Sequence, residues 1–245
     1  MIHYFGNPEY CERLALGKVP NKFNINQSGR NESVGSTEVI VASGGVYGLP
    51  TSAEKVIFES DSLDDVVDGD GARSIILRGI DGNWDLVEEI VDINTLTVNT
   101  YFRVLNAKVY TAGTITIITG ANVGTITCSQ ESSANEMIQI LPNYGKSLNA
   151  CITVPRHYSA LFWGGNCSAP EGKTITTYLN FKDFGSDKPF VKACIEDLYQ
   201  NTISKGLPCP NVIPEKSDIV ITGKSSAVGT AISVTPFFTL IKNDM

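Results

Sequence analysis

Apolar and polar residues alternate in short runs along this chain, and the alternation predicts β-strands. In RSIILRG, at 73–79, Ile75 and Leu77 fall on one face of an extended chain. Ser74, Ile76 and Arg78 fall on the other face. TITIIT, at 114–119, has the same two-residue period. One face of each run is therefore expected to point to a core, and the mixed face to a second layer or a neighbouring subunit.

Runs of this kind, bounded by Gly, Asn or Asp, recur to the end of the chain. Their even spacing is typical of an all-β sandwich or barrel. KPFVKACIEDLYQNTI, at 188–203, fits a helix or a doubly buried strand, and we favour a strand over 190–198. The other predicted strands are 37–42, 55–60, 73–79, 86–92, 102–111, 114–119, 124–129, 137–141, 147–154, 159–164, 174–181, 217–222 and 231–241.

Two changes of composition predict the domain organisation. Residues 1–52 are rich in Gly, Pro, Asn and Ser, so we expect a loop-rich, extended N-terminal arm that becomes ordered against another surface, with a loop-rich cap on the next domain as the alternative. ESSANE, at 131–136, interrupts the strand pattern. We therefore predict a first β-sandwich module over 53–130 and a second, jelly-roll-like β-sandwich over 131–245.

The charge balance narrows the class of partner. The chain of 245 residues has a net charge of -7, only 18% charged residues and no run of Lys or Arg. A nucleic-acid binder needs a basic stripe, so no nucleic-acid partner is predicted. No stretch reaches about 18 apolar residues, and MIHYFGNPEY lacks the basic start of a signal peptide, so neither a membrane partner nor secretion is predicted.

The cysteines are dispersed and form no C-x-x-C pair. Their even number would suit three disulfides. Without a secretory signal, buried free thiols are the favoured interpretation. The six are Cys11, Cys128, Cys151, Cys167, Cys194 and Cys209.

Four aspartates lie close together in DGDGARSIILRGIDGNWD, at 68–85. They are Asp68, Asp70, Asp81 and Asp85. An EF-hand does not fit, because Gly71 at position six puts Leu77 where a Glu ligand is required. An irregular calcium loop is the alternative. We favour a role in tight turns, in which the Asp-Gly glycines supply positive φ and Arg73 pairs with a nearby carboxylate.

Other patterns that carry chemistry are incomplete. Glu88 and Glu89 are adjacent on a predicted strand, so they point to opposite faces and do not make a glycosidase pair by themselves. Two histidines are too few for a zinc site built on several imidazoles. A Cys151–His157 pair is conceivable, although Cys151 is expected to be buried and inert. Neither a nucleophile elbow nor a phosphate loop is present, and we predict no catalytic residue, metal or cofactor.

Two tryptophans are candidates for sugar binding. Trp84 and Trp163 could stack on a glycan if they are exposed, as loop aromatics do in lectins. Packing in a core or an interface is the alternative. A carbohydrate-binding module, or a depolymerase that uses carboxylates on the β-scaffold, therefore stands beside a purely structural role.

Several sequence segments, in their order along the chain, resemble segments of a known protein family. They are GKVP from 17, SGRNESV at 28–34, GGVYGLPTSA at 44–53, DGDGARSIILRGIDGNWDLVEEIVDIN from 68, TYFRVLNAKVYTAG from 100 and ANVGTIT from 121. The chain resembles uncharacterised virion structural proteins found mainly in marine tailed bacteriophages, with relatives in large algal viruses. The likeness is strongest from about 17 to 127. GKSLNACITVP, EKSDIVITGKSSA and VTPFFTLIKND follow the later strands more loosely.

The resemblance implies a non-enzymatic component of a virus particle. We expect a capsid decoration or minor capsid protein, made in the host cytoplasm and located in the virion. Its expected partners are itself, as a homo-oligomer and preferably a trimer, and other virion proteins such as the major capsid protein. Phe23, Arg30, Asn31 and Tyr47 are the predicted interface residues. A tail or baseplate component, or a receptor-binding spike that binds glycans, is the alternative.

Overall fold

The computed structural model is nearly all β, as predicted. It describes residues 8–114, 121–170, 172–182, 190–198 and 202–243. One α-helix, α1, spans Pro8–Ala15, and a short 3-10 turn spans Ser43–Gly45. The strands are β1 Lys22–Asn26, β2 Gly29–Val34, β3 Val39–Ile40, β4 Val56–Ser60, β5 Ala72–Ile80, β6 Leu86–Asp92, β7 Arg103–Ala112, β8 Ile126–Gln130, β9 Glu136–Ile140, β10 Ile152–Thr153, β11 Tyr158–Ser168, β12 Ile175–Lys182, β13 Val191–Leu198, β14 Thr202–Ile213, β15 Asp218–Ser225 and β16 Thr230–Lys242.

The chain divides into two compact units, one of which is discontinuous. The discontinuous unit consists of Met1–Val41 and Ala150–Met245, and the inserted unit is Ala42–Asn149. These limits differ from the predicted modules, 53–130 and 131–245. The predicted boundary falls between β8 and β9, which pair with each other from Ile126↔Ile140 to Ser129↔Glu136. Residues 131–135 of ESSANE are therefore the connection of a hairpin, and Glu136 begins β9.

In the discontinuous unit, β16 is the central strand of a five-stranded antiparallel sheet, here called sheet A. The strand order is β1–β16–β11–β14, and β2 also pairs with β16. β2 pairs with residues 230–234 of β16, and β1 with residues 237–241. Pro236 lies between these two stretches, where the missing N–H of proline interrupts no ladder to β1 or β2.

The second sheet of this unit, sheet B, also has five antiparallel strands. Its order is β10–β15–β12–β13, and β3 pairs with β15 through Ile40↔Thr222 and Val39↔Gly223. Both sheets contribute to the same hydrophobic clusters. In one, Ile175 and Ile221 of sheet B join Ile232 of sheet A. In the other, Ile152, Leu179 and Ile219 of sheet B join Ala160, Phe162, Ile213, Phe238 and Leu240 of sheet A.

Residues 22–40 do not form the predicted separate arm. β1 and β2 hydrogen-bond to β16, and β3 to β15, so this segment supplies strands to both sheets of its own chain. The pairing with partner strands holds these polar strands extended, and sequence hydrophobicity does not report such pairing.

The inserted unit contains two three-stranded antiparallel sheets. Sheet C has the order β6–β5–β7, and sheet D has the order β4–β8–β9. The predicted alternation in β5 is confirmed for Ile75 and Leu77, which are fully buried, and for Arg78, which is exposed, whereas Ser74 of the mixed face is buried as well. Full burial of an Ile or Leu side chain stabilises the folded state by about 1.5–3 kcal/mol relative to leaving it exposed.

Most predicted strands are present, within a few residues at their ends. The strand favoured over 190–198 is present as β13, Val191–Leu198. The prediction at 147–154 is realised only at Ile152–Thr153, and most of 114–119 lies outside the described residues. α1, β1, β2 and β14 were not predicted.

Candidate interaction surface

The loop between β4 and β5 is organised around Asp65, whose side chain is fully buried. Its Oδ1 accepts hydrogen bonds from the backbone N–H groups of Ala72, at 2.8 Å, and Val123, at 3.0 Å. Its Oδ2 accepts from the N–H of Gly124 and the hydroxyl of Ser60, both at 2.8 Å. A buried carboxylate is tolerated because donors surround it. Asp65 therefore holds three segments of the inserted unit together.

The four aspartates singled out in the sequence lie in the two loops that flank β5. Asp81 accepts the N–H groups of Asn83, at 2.8 Å, and Asp85, at 2.9 Å. Asp70 accepts the hydroxyl of Thr114 at 2.8 Å. Asp68 is exposed. These contacts fit the predicted role in turns.

Two details of that prediction are wrong. Gly69, Gly71 and Gly82 do not have positive φ, and in the 81–85 turn it is Trp84 that does, at 67°. Gly69 and Gly71 are needed for close approach instead, because a Cβ on either would collide with the 64–65 segment. Arg73 forms no ion pair among the described residues, and its Nε donates to the Gly69 carbonyl at 2.8 Å.

Glu88 and Glu89 have separate structural partners, as their predicted opposite orientation requires. Glu88 pairs with Arg78 at 2.7 Å on an exposed face. Glu89 accepts the backbone N–H groups of Val98, at 2.5 Å, and Asn99, at 3.0 Å, together with the Asn99 amide and the Tyr101 hydroxyl. Burial raises the pKa of Glu89, but these hydrogen bonds outweigh it and hold the pKa below its ordinary value. Burial, followed by the Glu89 charge, raises the pKa of Tyr101.

The cysteines with described side chains are free thiols. Cys128, Cys151 and Cys167 are buried, whereas Cys209 is exposed, contrary to the expectation of burial. Burial raises the pKa of Cys128, and it raises the pKa of Cys151 to about 12, so neither forms a thiolate near neutral pH. The side chains of Cys11 and Cys194 lie outside the described part of the chain.

Two of the predicted interface residues are accessible on sheet A. Phe23 of β1 is 51% exposed, and its ring meets that of Tyr158 edge-on at 6.0 Å. Arg30 of β2 binds both carboxylate oxygens of Glu32, at 2.6 and 2.9 Å, and the Ser233 hydroxyl at 3.0 Å. β1 and β2 both border β16, so the two residues belong to the same sheet.

The other two predicted interface residues are buried within their own chain. Asn31 donates to the Ile40 carbonyl at 2.8 Å and accepts the Ser33 N–H at 3.0 Å, which links β2 to β3. Tyr47, in the inserted unit, is 6% exposed. Neither side chain offers much surface to a partner. The interface role stays a prediction for Phe23 and Arg30.

The two tryptophans lie in different units. Trp84 follows β5 in the tight 81–85 turn, and its ring meets Phe102 edge-on at 4.9 Å. Trp163 lies within β11 and donates Nε1–H to the Thr239 hydroxyl at 3.2 Å. Both are half-buried. Only Trp84 has the predicted loop position.

A polar network on sheet B was not predicted. Lys192 of β13 pairs with Glu38 at 2.5 Å, and its ammonium lies 3.6 Å from the centre of the Tyr178 ring. Glu38 also accepts the Thr222 hydroxyl at 2.6 Å. Burial raises the pKa of Glu38, but the hydrogen bonds from Lys192 and Thr222 lower it by more. The pKa of Glu38 is therefore below its ordinary value. The network connects four strands or their ends across one face of the sheet.

Among the described residues, no group of three or more His, Cys, Asp and Glu side chains is placed to hold a metal ion. None of the described helices is long and apolar enough to cross a membrane.

Comparison with known proteins gives no family assignment. No family model matches the chain, and no curated protein matches it. Among solved structures, a chain from the structure of infectious bursal disease virus Gx strain aligns over 90% of this chain and 69% of its own length. The identity is 11% and the TM-score 0.20, a likeness too slight to carry an argument.

Proposed function

We propose that this chain is a non-enzymatic structural protein of a virus particle. The favoured role is a capsid decoration or minor capsid protein, made in the host cytoplasm, that assembles with copies of itself and with the major capsid protein. A trimer is the favoured oligomer. The proposal rests on the family resemblance of the sequence together with the way the β-scaffold uses its carboxylates.

The use of carboxylates is the observation that supports this proposal most. Asp65, Asp81 and Glu89 each accept at least two backbone N–H groups and thereby close loops of the inserted unit. Glu88 is held in an exposed ion pair. Acidic groups tied to main-chain donors stabilise loop architecture, which is a structural use of these carboxylates.

We further propose a jelly-roll-like β-sandwich for the discontinuous unit. Sheets A and B have five strands each and share two hydrophobic clusters, as two packed sheet faces do. This architecture is common among viral capsid domains.

Purified particles test the proposal. The protein would be quantified by mass spectrometry against the major capsid protein. On the order of hundreds of copies per particle would support a shell or decoration role. A few to a few dozen copies would favour a tail, baseplate or spike component instead. Absence from purified particles would overturn the proposal.

A receptor-binding spike with carbohydrate-binding loops is the second candidate, and the position of Trp84 favours it. Trp84 lies in the β5–β6 connection, and its half-buried ring packs edge-on against Phe102, the residue before β7. If a glycan stacks there, wild type binds in a saturable manner on a glycan array and Trp84→Ala does not. Trp163→Ala, a change in the other unit, is the matched control. A flat array for wild type would remove this candidate.

A further inference from the structure

One face of sheet C is exposed and mixes apolar with charged side chains. The burial of β6 alternates, so that Leu86, Glu88, Ile90 and Asp92 are exposed while Val91 is buried. The neighbouring positions on the same face follow from the strand register. The sheet C face consists of Leu86, Glu88, Ile90 and Asp92 on β6, Ile76 and Arg78 on β5, and Asn106, Lys108 and Tyr110 on β7.

The sheet C face has Ile76 and Ile90 at its middle level and further apolar side chains towards its ends. Ile76 lies opposite Ile90 on one side and Lys108 on the other. Ile90 is 49% exposed, Leu86 46% and Tyr110 57%. Large apolar side chains that share one sheet face are a common feature of surfaces that bind another protein.

The charges of this face are divided between the two sides of β5, and the exposed Lys146, which bridges to Lys108, adds a second cation on the β7 side. β6 carries Glu88 and Asp92, one residue to each side of Ile90 along the face, and β7 carries Lys108 at the level of Ile90. Arg78 on the central strand pairs with Glu88. Lys108 and Asp92 form no ion pair among the described residues.

This division is complementary to itself. A two-fold axis parallel to the strands would place β6 of one copy over β7 of the other. Lys108 would then lie between Glu88 and Asp92 of the second copy, and Ile76 would meet Ile76 of that copy near the axis. An isologous contact of this kind uses one patch twice. Self-association in the alternative orientation, β6 over β6, would bring like charges together.

We propose that the sheet C face binds the same face of a second copy of this chain. The inference deepens the proposed assembly role, because it names the surface through which copies meet, and it rests on that role only for its biological setting. If a trimer is the basic unit, the contact joins a subunit of one trimer to a subunit of the next.

The size of the face predicts a weak contact. Three strands about 4.8 Å apart and seven residues at about 3.3 Å each cover roughly 300–400 Å² per copy. Stable complexes bury about 800 Å² per partner. A single pair therefore forms only at high concentration, whereas many such contacts in a symmetric particle act together.

Sedimentation velocity on the full chain tests the inference, from about 10 μM to about 1 mM protein. The mass of one chain is 26.4 kDa. The average mass of wild type is expected to rise with protein concentration toward twice the mass of the basic unit. Ile90→Lys and Lys108→Glu are expected to prevent the rise. Val228→Lys, at an 89% exposed site of the other unit, is the matched control and should leave it unchanged.

A charge exchange separates a specific contact from a general effect of charge. In the double variant Lys108→Glu/Asp92→Lys, the introduced glutamate would face the introduced lysine of the second copy, so association should return in part. Circular dichroism would establish that each variant is folded.

Three outcomes would overturn the inference: no concentration dependence in wild type, wild-type behaviour of Lys108→Glu, or no recovery in the double variant. These outcomes are distinct from failure of the proposed function. Abundance in particles together with an inert sheet C face would remove the inference alone. Self-association of a protein that is absent from particles would remove the virion role alone.

Discussion

Asp65 accepts a 2.8 Å hydrogen bond at Oδ2 from the backbone N–H of Gly124, 59 residues further along the chain. The bond ties the long loop before β5 to the entry of β8. Gly124 is required for this approach, because a Cβ there would crowd Asp61 and the Ser62 nitrogen. The acidic loop before β5 is thus held against the entry of β8 within the inserted unit.

Replacing Asp65 by Ala should destabilise the protein strongly. The change leaves the N–H groups of Ala72, Val123 and Gly124 without their acceptor, at a cost of about 1–3 kcal/mol for each donor that water does not reach. We expect a total loss of about 3–5 kcal/mol in the free energy of unfolding, measured by urea denaturation. Asp64→Asn, at the exposed neighbouring position, is the control and should change it by less than about 0.5 kcal/mol. Equal effects of the two changes would contradict the assignment.

Gly29 provides a test of the discontinuous unit. A Cβ at this position would collide with the Ala150 nitrogen and the Val41 carbonyl, which hydrogen-bond to each other at 3.1 Å where the two chain segments meet. Gly29→Ala should therefore cost about 2–3 kcal/mol. At Gly35, also next to a strand of this unit, a Cβ would have only ordinary contacts with Val228 at 3.8 Å. Gly35→Ala should leave the free energy of unfolding nearly unchanged. Thermal or urea denaturation would measure both variants.

The strands were predictable from the sequence because their two-residue period is a local property. β1, β2 and β14 escaped prediction for a physical reason. Their sequences, KFNIN, GRNESV and TISKGLPCPNVI, carry many polar residues or prolines, and their extended form depends on pairing with β16 or β11. Propensity is a weak guide where a partner strand decides.

The unit boundaries and Asp65 escaped prediction because both depend on distant contacts. The inserted unit is closed by the bridge between Ala42 and Asn149, and nothing local marks the two positions as neighbours. Likewise, the sequence DSLDD does not distinguish Asp65 from Asp64. The donors at 123 and 124 lie 58 and 59 residues away.

Stability in acid should depend on Glu89. Its folded-state pKa is below the ordinary value of 4.5, so its contribution is present above that value and is lost as the pH falls through the folded pKa. Because the side chain is partly exposed, Glu89→Gln should cost only about 1 kcal/mol near pH 7. The difference from wild type should shrink in strong acid. Glu88→Gln, which breaks an exposed ion pair, is the control. If the stability cost of Glu89→Gln did not vary with pH, this account would be refuted.

The exposed thiol should be distinguishable from the buried ones. At neutral pH, N-ethylmaleimide should label Cys209 and spare Cys128, Cys151 and Cys167, because three of these four thiols are buried and only Cys209 is exposed. Peptide mass mapping would report the site of modification. All four should react in denaturant, which serves as the control. Native labelling of Cys128 or Cys151 would show that the core opens more readily than its burial implies.

The inserted unit should fold when it is produced alone. The pair Ala42 and Asn149 brings its ends together, and Ser43 donates its N–H to the Leu148 carbonyl at 2.8 Å while its hydroxyl accepts the Leu148 N–H at 3.0 Å. The unit has its own core, in which Phe58 and Met137 are fully buried. A fragment of residues 42–149 is therefore expected to unfold cooperatively, with equal calorimetric and van't Hoff enthalpies.

A second fragment makes this test discriminating. Residues 53–130 correspond to the module predicted from composition, but they lack β9, the edge strand that pairs with β8 in sheet D. Without β9, the core loses the buried side chains of Met137, Ile138 and Ile140. Loss of buried side chains of this size costs about 2–5 kcal/mol each, more in sum than the net stability of a typical domain. The shorter fragment should therefore be unfolded, and equal stability of the two fragments would mean that the unit ends at 130 after all.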